Sequence, residues 1–378
     1  MAGLNVGQWI LQDENVGYCA FMKEMSAIFV LAFWTGLSLF PRAQELSSRI
    51  EQYLISQSHE NGFRGEVLVA EGDELLTKRK FQASSNLSSE LRQPEDRFPA
   101  GSIAEQFIAA AILQLELTGQ VKLDSPVCDY ISDCPGEWKQ IHIQHLLTHS
   151  SGLPSLLGVS PCVEPAAFKP PAVIAMLSGK PLLFEPGNRF NLNPLDDFFL
   201  SVVIEKISGQ STSEYLDQHI FHPLNLAETG YFSASQQKVT ATQKETGCIE
   251  GEPRANPVPS SFSGELYTSI DDLYRWNRAL SQGKFLPNKS LNQMYTPYIE
   301  GRAFGWKILK EFGRKVAVQN NESGTNSVSI RVYPDDDTCI IVVSRGHEVA
   351  ASGLSHDVGA LLFGKRHPAS SNPRAAHH

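Results

Sequence analysis

Residues 98–120 read FPAGSIAEQFIAAAILQLELTGQ, and this stretch decides the fold. Apolar side chains fill most of its positions and Gly119 follows them, so the stretch predicts a buried helix over residues 102–118 that ends at Gly119. Ser102 stands at the mouth of this helix, and Glu105 follows one turn later. Ser102 is therefore either a nucleophile or a helix cap.

The S-x-x-E pattern of Ser102 and Glu105 is that of a capping box, in which Ser accepts a hydrogen bond from a backbone N–H and Glu reaches back. A nucleophilic serine instead needs a base beside it, and a carboxylate with a pKa of about 4.3 is a weak base for an alcohol. Such a carboxylate also places negative charge where an oxyanion must develop. The pattern favours the cap.

The composition of the chain is that of an ordinary globular protein. It has 378 residues, 42% of them hydrophobic and 19% charged, which suffices for one large domain or two smaller ones. The formal net charge of -9 argues against a nucleic-acid groove, which needs a basic surface to neutralise phosphates. We expect no nucleic-acid partner.

The segment 22–43 has a short start with Lys23, an apolar run over 27–40 and small residues near Ala43. The run is too short to span about 30 Å of hydrocarbon comfortably, so it predicts a secretory signal peptide and a periplasmic or extracellular location. Because Glu24 and Pro41 weaken this pattern, an uncleaved membrane anchor stays open as an alternative.

Three further boundaries follow from the sequence. Residues 1–21 resemble neither a signal nor a domain, and we interpret them as an extension ahead of a true start at Met22. Residues 45–365 form the predicted domain, and residues 366–378 a disordered tail.

Cys128 and Cys134 lie close together in SPVCDYISDCPGEW, among residues typical of turns. They lack the paired C-x-x-C or His partners of a zinc site, so they favour a disulfide across a surface loop. Two reduced thiols are the alternative if the chain is not exported.

Strand patterns occur near both ends of the chain. RGEVLVAEG (64–72), SVSIRVYP (327–334) and TCIIVVSR (338–345) predict strands of one sheet. Between them lie helical patterns, including residues 195–208 ending at Gly209 and a Ser211/Glu214 capping box. The expected fold is α/β of the α+β type.

Several blocks of the chain resemble the penicillin-recognising serine hydrolases, above all the group of class C β-lactamases, D-alanyl-D-alanine carboxypeptidases and related esterases. The blocks are the stretch already quoted and its continuation VKLDSPV, IHIQHLLTHSSGLP, FEPGNRFN, VVIEKISGQSTSEYLDQHIFHPLNLAETGYF and SGELYTSIDDLYRWNRAL. The resemblance runs from about Phe63 to Phe363. It implies an antiparallel sheet made from both chain ends, flanked by helices, beside a mostly helical middle region: the β-lactamase/transpeptidase-like fold.

The resemblance also implies three catalytic clusters, and this sequence departs from the family at each. The family has a nucleophilic Ser followed three residues later by a Lys base; Ser102 aligns with the nucleophile, but Glu105 replaces the Lys. In the Y-x-N triplet, Leu192 replaces Tyr and Pro194 replaces Asn. A shift of the alignment by one residue would leave Asn193 as the only polar group there.

The third cluster is Lys or His followed by x-Gly on the edge strand, which binds the substrate carboxylate. Depending on a one-residue gap, this position falls on Val318 or Gln319, and neither is a cation. Lys315 lies too far back along the chain. The resemblance therefore implies a scaffold without its base, its proton relay and its carboxylate clamp.

Two rival sites are weak. The S-x-x-K letters of Ser235–Lys238 lie far from the matching helix block and are expected by chance. His142, His145 and His149 imitate a metal site, but no acidic or Cys partner lies at a helical step from them. We expect neither a metal nor a cofactor.

Three functions follow as hypotheses. The first is an exported, non-catalytic family member that binds a small peptide, an ester or a cell-wall-derived ligand. The second is an active acyl hydrolase of the esterase, carboxypeptidase or β-lactamase type, with Ser102 as nucleophile and Glu105 or a water as base. The third is a scaffolding role, for which the sequence has no feature of its own.

Overall fold

A computed structural model describes residues 40–81, 97–156, 169–231, 266–323, 326–346 and 348–364. Residues 1–39, 235–238 and 366–378, on which the predicted extension, most of the signal segment, the S-x-x-K match and the tail fall, lie outside these ranges. The helices are Phe40–Glu60 (α1), Glu105–Leu117 (α2), Ile143–Leu147 (α3), Pro170–Leu177 (α4), Pro194–Ser208 (α5), Thr212–Leu216 (α6), Ile270–Ser281 (α7), Asn288–Met294 (α8) and Ala351–Phe363 (α9).

The strands form two antiparallel sheets. The larger sheet has seven strands in the order β2-β1-β10-β9-β8-β7-β6, and the smaller has three in the order β3-β5-β4. Their bounds are Gly65–Glu71 (β1), Glu74–Phe81 (β2), Arg97–Pro99 (β3), Gly230–Tyr231 (β4), Leu266–Ser269 (β5), Arg302–Ala303 (β6), Trp306–Glu311 (β7), Arg314–Ser323 (β8), Asn326–Tyr333 (β9) and Thr338–Arg345 (β10). The first hairpin of the chain pairs with its last strand, with Gly65 opposite Ser344.

The seven-stranded sheet is buried on both faces, because alternate residues of its central strands point to opposite sides. On one face, Val67 and Ile340 pack with Ile50 of α1 and Val358 of α9. On the other face, residues such as Ile330 join the large core that α2, α5 and α7 share. The sheet is therefore the middle layer between two helical layers, as the α+β prediction requires, and that prediction is confirmed.

Local sequence signals fix several element ends. Gly209 ends α5 in the left-handed region, with φ 70°, and Asn193 caps its start. The Ser211/Glu214 capping box is present at α6. The predicted strands are β1, β9 and β10 of the one sheet.

The predicted disulfide is also confirmed, since a bond joins Cys128 and Cys134. It closes the loop between two short 3-10 turns, Val127–Asp129 and Gly136–Gln140. Within the part of the chain that the structure describes, no helix has both the length and the apolar composition needed to cross a bilayer.

Candidate active site

Ser102 lies where strand β8 of the seven-stranded sheet meets the start of α2. It is the second residue of a 3-10 turn, Gly101–Ala104, which continues into α2, and its side chain is partly exposed. Gly101 has a φ of 52°, and a Cβ there would come within 2.2 Å of the Asn321 side chain. Glycine thus permits both the turn and the close approach of β8 to Ser102.

The cap interpretation of Ser102 is wrong. The N-cap positions are Ala100 for the 3-10 turn and Ala104 for α2, and neither helix has a side-chain cap. Glu105 does not reach back to the backbone either, because its carboxylate accepts a hydrogen bond from Gln319 instead. Because the 3-10 turn Gly101–Ala104 precedes α2, the N-cap of α2 is Ala104 and not Ser102, so Ser102 and Glu105 do not occupy the N-cap and N3 positions of a capping box.

Gln319 connects strand β8 to the start of α2. Its Nε2 donates to the Ser102 carbonyl over 2.8 Å and to Glu105 Oε2 over 2.9 Å. Val318 belongs to the core on the opposite face of the sheet, so Gln319, not Val318, faces Ser102. The resemblance aligns position 319 with a cation of the family. Here that position carries an amide, and both of its hydrogen bonds go to the start of the α2 region.

A buried imidazole lies behind Glu105. His149, 4% exposed, follows α3 with a φ of 49°. Its Nδ1 lies 3.0 Å from Asp196 Oδ2, and its Nε2 lies 3.7 Å from Glu105 Oε2. Asp197, the next residue of α5, completes a cluster in which one ligand atom each of Glu105, His149 and Asp197 lie within 4.8 Å of one another. We call these four residues the acid–histidine cluster.

The charges of the acid–histidine cluster are mutually dependent. Burial alone would lower the pKa of His149, but its hydrogen bonds with Asp196 and Glu105 raise that pKa well above the ordinary value. Burial raises the pKa of Asp196, against the effect of its bond to His149. Burial raises the pKa of Asp197 to about 8; the charge of His149 opposes this and that of Glu105 adds to it. The acidic side chains around His149 therefore favour its protonated form.

The positions of the family's Y-x-N triplet cannot relay protons. Leu192 is 55% exposed, and Pro194 is the first residue of α5. Asn193, the alternative polar group, is buried: its Oδ1 accepts from the Leu195 N–H, and its Nδ2 donates to the Leu153 carbonyl over 2.9 Å. Both ends of the Asn193 amide are therefore structural.

Phe190 and Arg302 lie beside the cluster. The Arg302 guanidinium stacks on the Phe190 ring at 4.0 Å from its centre, and the His149 ring meets the same ring edge-on at 6.3 Å. Burial lowers the pKa of Arg302, while the nearby charge of Glu105 acts to raise it, so Arg302 and Glu105 interact electrostatically. No ion pair within 4.0 Å joins them in the part of the chain that is described. Arg302 is thus held by an aromatic contact.

The three histidines of the sequence do not form one group. His142 and His145 stack on each other at 5.0 Å, and the His142 backbone N–H donates to His145 Nδ1. His149 instead finds its partners on two other helices. The sequence analysis missed Asp196 and Asp197; the signal that could have pointed to them is an unusual pair of acids at the start of an otherwise apolar helix pattern.

The surroundings of Ser102 differ from those that the resemblance implies for the family's nucleophile. The Ser102 hydroxyl makes no hydrogen bond to any residue that the structure describes, and the carboxylate at the base position is shared between Gln319 and His149. A hydroxyl without an acceptor keeps its proton.

The fold and the position of Ser102 define the class of penicillin-recognising serine hydrolases. The family model described as beta-lactamase matches residues 50–364, and the chain belongs to that family. PbpX of Bacillus subtilis (strain 168), named as a penicillin-binding protein, is 26% identical over 256 residues, which make up 66% of this chain and 62% of PbpX. The chain therefore spans less than two thirds of that relative.

Solved structures share the fold. A penicillin-binding protein homologue of Pyrococcus abyssi, described as octameric, matches with a TM-score of 0.67 at 23% identity. The match covers 84% of this chain and 77% of the Pyrococcus chain. A beta-lactamase/D-alanine carboxypeptidase of Yersinia pestis, complexed with citrate, has a TM-score of 0.66 at 20% identity over 84% of this chain and 98% of its own.

Proposed function

We propose that this chain is an exported, catalytically degenerate member of the beta-lactamase family that binds a small peptide or a cell-wall-derived fragment in the cleft beside Ser102 without hydrolysing it. The observation on which this depends is the Glu105 carboxylate. It stands at the position of the family's base, and it is held by Gln319 and by His149.

Three chemical roles are missing together. Glu105 replaces the base, Leu192 replaces the proton relay, and Gln319 replaces the carboxylate clamp. Loss of the nucleophile–base unit in comparable serine enzymes costs on the order of 10⁶ in rate, or about 8 kcal/mol. Backbone oxyanion donors alone would leave about 10³ of acceleration, which is too slow for turnover.

The surroundings of Ser102 limit the ligand. Without a cation at position 319, a free carboxylate on the ligand gains no ion pair there. The side chain of Asn321 lies against Gly101, the residue before Ser102. We therefore expect a fragment that ends in an amide to bind at least as tightly as the same fragment ending in a carboxylate. Calorimetry with the two forms tests this, and a tenfold preference for the acid would contradict it.

Export is part of the proposal. The Cys128–Cys134 disulfide supports it, because such bonds persist in oxidising compartments, and the name of the relative PbpX links it to penicillin binding, a feature of cell-wall chemistry. The chain would meet a membrane only through an uncleaved N-terminal segment. Cell fractionation with mass analysis of the N-terminus tests this: a full-length chain confined to the cytoplasm would contradict export.

The decisive experiment for the degenerate site is labelling with a fluorescent penicillin. Folded wild-type protein, the Ser102→Ala variant and heat-denatured protein are incubated with the probe and digested, and any adduct is mapped by mass. We expect no stoichiometric adduct on Ser102. An adduct there that is absent from both controls would show that Ser102 is a working nucleophile.

Two observations favour the active acyl hydrolase as a second candidate. Ser102 is partly exposed, and the Asp196–His149 contact has the form of a base held by its orienting acid. Turnover of an activated ester separates the two candidates. Hydrolysis that Ser102→Ala abolishes and that Ser235→Ala leaves intact would favour the enzyme.

A further inference from the structure

Three separate elements bring metal-ligating atoms together in the acid–histidine cluster. Glu105 is the first residue of α2, His149 follows α3, and Asp197 lies in the first turn of α5. One ligand atom from each lies within 4.8 Å of the other two. An imidazole nitrogen with two carboxylate oxygens is a donor set that suits Zn²⁺ and similar divalent cations.

The Asp197 carboxylate and one oxygen of the Asp196 carboxylate lack hydrogen-bond partners among the described residues. Asp197 is 6% exposed, and among the residues that the structure describes it has no hydrogen-bond or ion-pair partner. Asp196 Oδ1 is fully buried and also has none. An unpartnered buried carboxylate is costly, and a protein usually compensates it with a cation or with hydrogen bonds. The Asp197 carboxylate points to a bound cation, because one of its oxygens lies within 4.8 Å of a Glu105 oxygen and a His149 nitrogen without a hydrogen bond to either.

His149 is oriented as a ligand would be. Asp196 engages Nδ1 over 3.0 Å, which leaves Nε2 directed toward Glu105. Ligating histidines commonly have their second ring nitrogen on a carboxylate in this way, which fixes the ring and raises its basicity. Asp196 is therefore a positioning residue.

We propose that Glu105, His149 and Asp197 bind a divalent transition-metal cation, with Zn²⁺ as the representative. For tetrahedral Zn²⁺ with bonds of about 2.0 to 2.1 Å, the ligand atoms must lie about 3.3 Å apart. The 3.7 Å from His149 Nε2 to Glu105 Oε2 is near this value, and rotation of the two carboxylates supplies the remainder. This site goes beyond the proposed function. Ligand binding without hydrolysis does not require a metal, and failure to bind Zn²⁺ would not contradict it.

The test is calorimetric titration of the full-length protein, dialysed against EDTA and then titrated with ZnCl₂. We expect about one equivalent at micromolar affinity or tighter. Glu105→Gln and Asp197→Asn are expected to weaken binding by at least tenfold, and Asp196→Asn by about 10 to 100-fold, because second-shell partners have effects of that size. Circular dichroism verifies that each variant is folded.

Two control variants locate the site. Asp271→Asn also removes an acid from the first turn of a helix, α7, but this acid is exposed and paired with Lys78. The double variant His142→Asn/His145→Asn removes the stacked pair of histidines. Both are expected to keep wild-type affinity. Absence of binding to folded wild type, or equal binding by the wild type, Glu105→Gln and Asp197→Asn, would overturn the proposal.

A measurement on the wild type alone covers the case in which a cluster variant does not fold. X-ray absorption of the Zn²⁺-loaded protein is expected to give a nitrogen/oxygen shell at about 2.0 to 2.1 Å with one imidazole. A shell with two imidazoles would place the ion on another pair, such as His142 and His145 or the terminal His377 and His378, and would contradict the assignment.

Discussion

Gln319 and Glu105 form a matched pair: the amide of the first donates to the carboxylate of the second over 2.9 Å, from 214 positions further along the chain. The sequence resemblance aligns each of these two positions with a cation of the family. In this chain neither residue is a cation, and the two side chains form one hydrogen bond between a neutral amide donor and a carboxylate acceptor. A hydrogen bond of this type contributes about 1.5 to 3 kcal/mol to the free energy of unfolding. The two departures from the family are therefore complementary.

This pairing leads to the first prediction, that Glu105→Lys alone will not restore hydrolysis. The substitution returns a base beside Ser102, but Leu192 and Gln319 still supply neither proton relay nor clamp, and groups that act as a unit do not contribute separately. Ester and β-lactam turnover is compared with wild type and with Glu105→Gln. Turnover well above both would show that the rest of the site is more complete than we infer.

The second prediction concerns the close approach at Gly101. Gly101→Ala should destabilise the fold by more than the roughly 1 to 2 kcal/mol of a left-handed non-glycine residue, because its Cβ would also meet the Asn321 side chain at 2.2 Å. Gly119→Ala is the matched control, since it has a φ of 72° and no atom within 4 Å. Asn321→Ala should relieve only the steric part. Equal losses at Gly101 and Gly119 in urea unfolding would contradict this account.

The third prediction is a pH dependence at His145. Burial, with the neighbouring His142, lowers the pKa of His145 to about 4, against about 6.5 in an unfolded chain. Between these values the unfolded state binds more protons, so His145 stabilises the fold fully above about pH 6.5 and that contribution is lost as the pH falls toward 4. His145→Asn keeps an acceptor for the His142 N–H but does not titrate.

The free energy of unfolding is measured at pH 7, 5.5 and 4.5. It should fall less with pH in His145→Asn than in the wild type, whereas the exposed His222→Asn should follow the wild type. Parallel curves for all three proteins would exclude a buried neutral His145.

The fourth prediction concerns the disulfide. Removing it with Cys128→Ser/Cys134→Ser should lower the free energy of unfolding by about 2 kcal/mol, because the closed loop is short. A reductant should cause a similar loss in the wild type and none in the double variant. If unreduced wild type purified from an oxidising compartment shows both cysteines alkylated, the bond does not form.

Local patterns in the sequence predicted the scaffold well, because each depends on neighbouring residues. Gly209 ends its helix, Ser211 caps the next one, and the alternation in β9 places Ile330 in the core. The same local reasoning failed at Ser102 and Glu105. The capping-box pattern was present, but the turn at Gly101 and the distant Gln319 decided where the carboxylate went.

The acid–histidine cluster could not be predicted for a related reason. His149 was considered only with histidines at helical spacing, whereas its partners come from α2 and α5. Neither Asp196 nor Asp197 carries a motif, and their meeting with Glu105 depends on how the two helices pack. Tertiary packing, not periodicity, creates this part of the site.

The pairing of β1 with β10 has a consequence for how the molecule assembles. Because Gly65 finds its partner at Ser344, the central layer is complete only after nearly the whole domain has been synthesised. Contacts between such distant parts of a chain slow folding, because the entropic cost of closing the long loop arises before the stabilising contacts form. We therefore expect the chain to remain unfolded on the ribosome until its last strand has emerged. We also expect a deletion of β10 to prevent folding of the whole domain and not only to remove one strand.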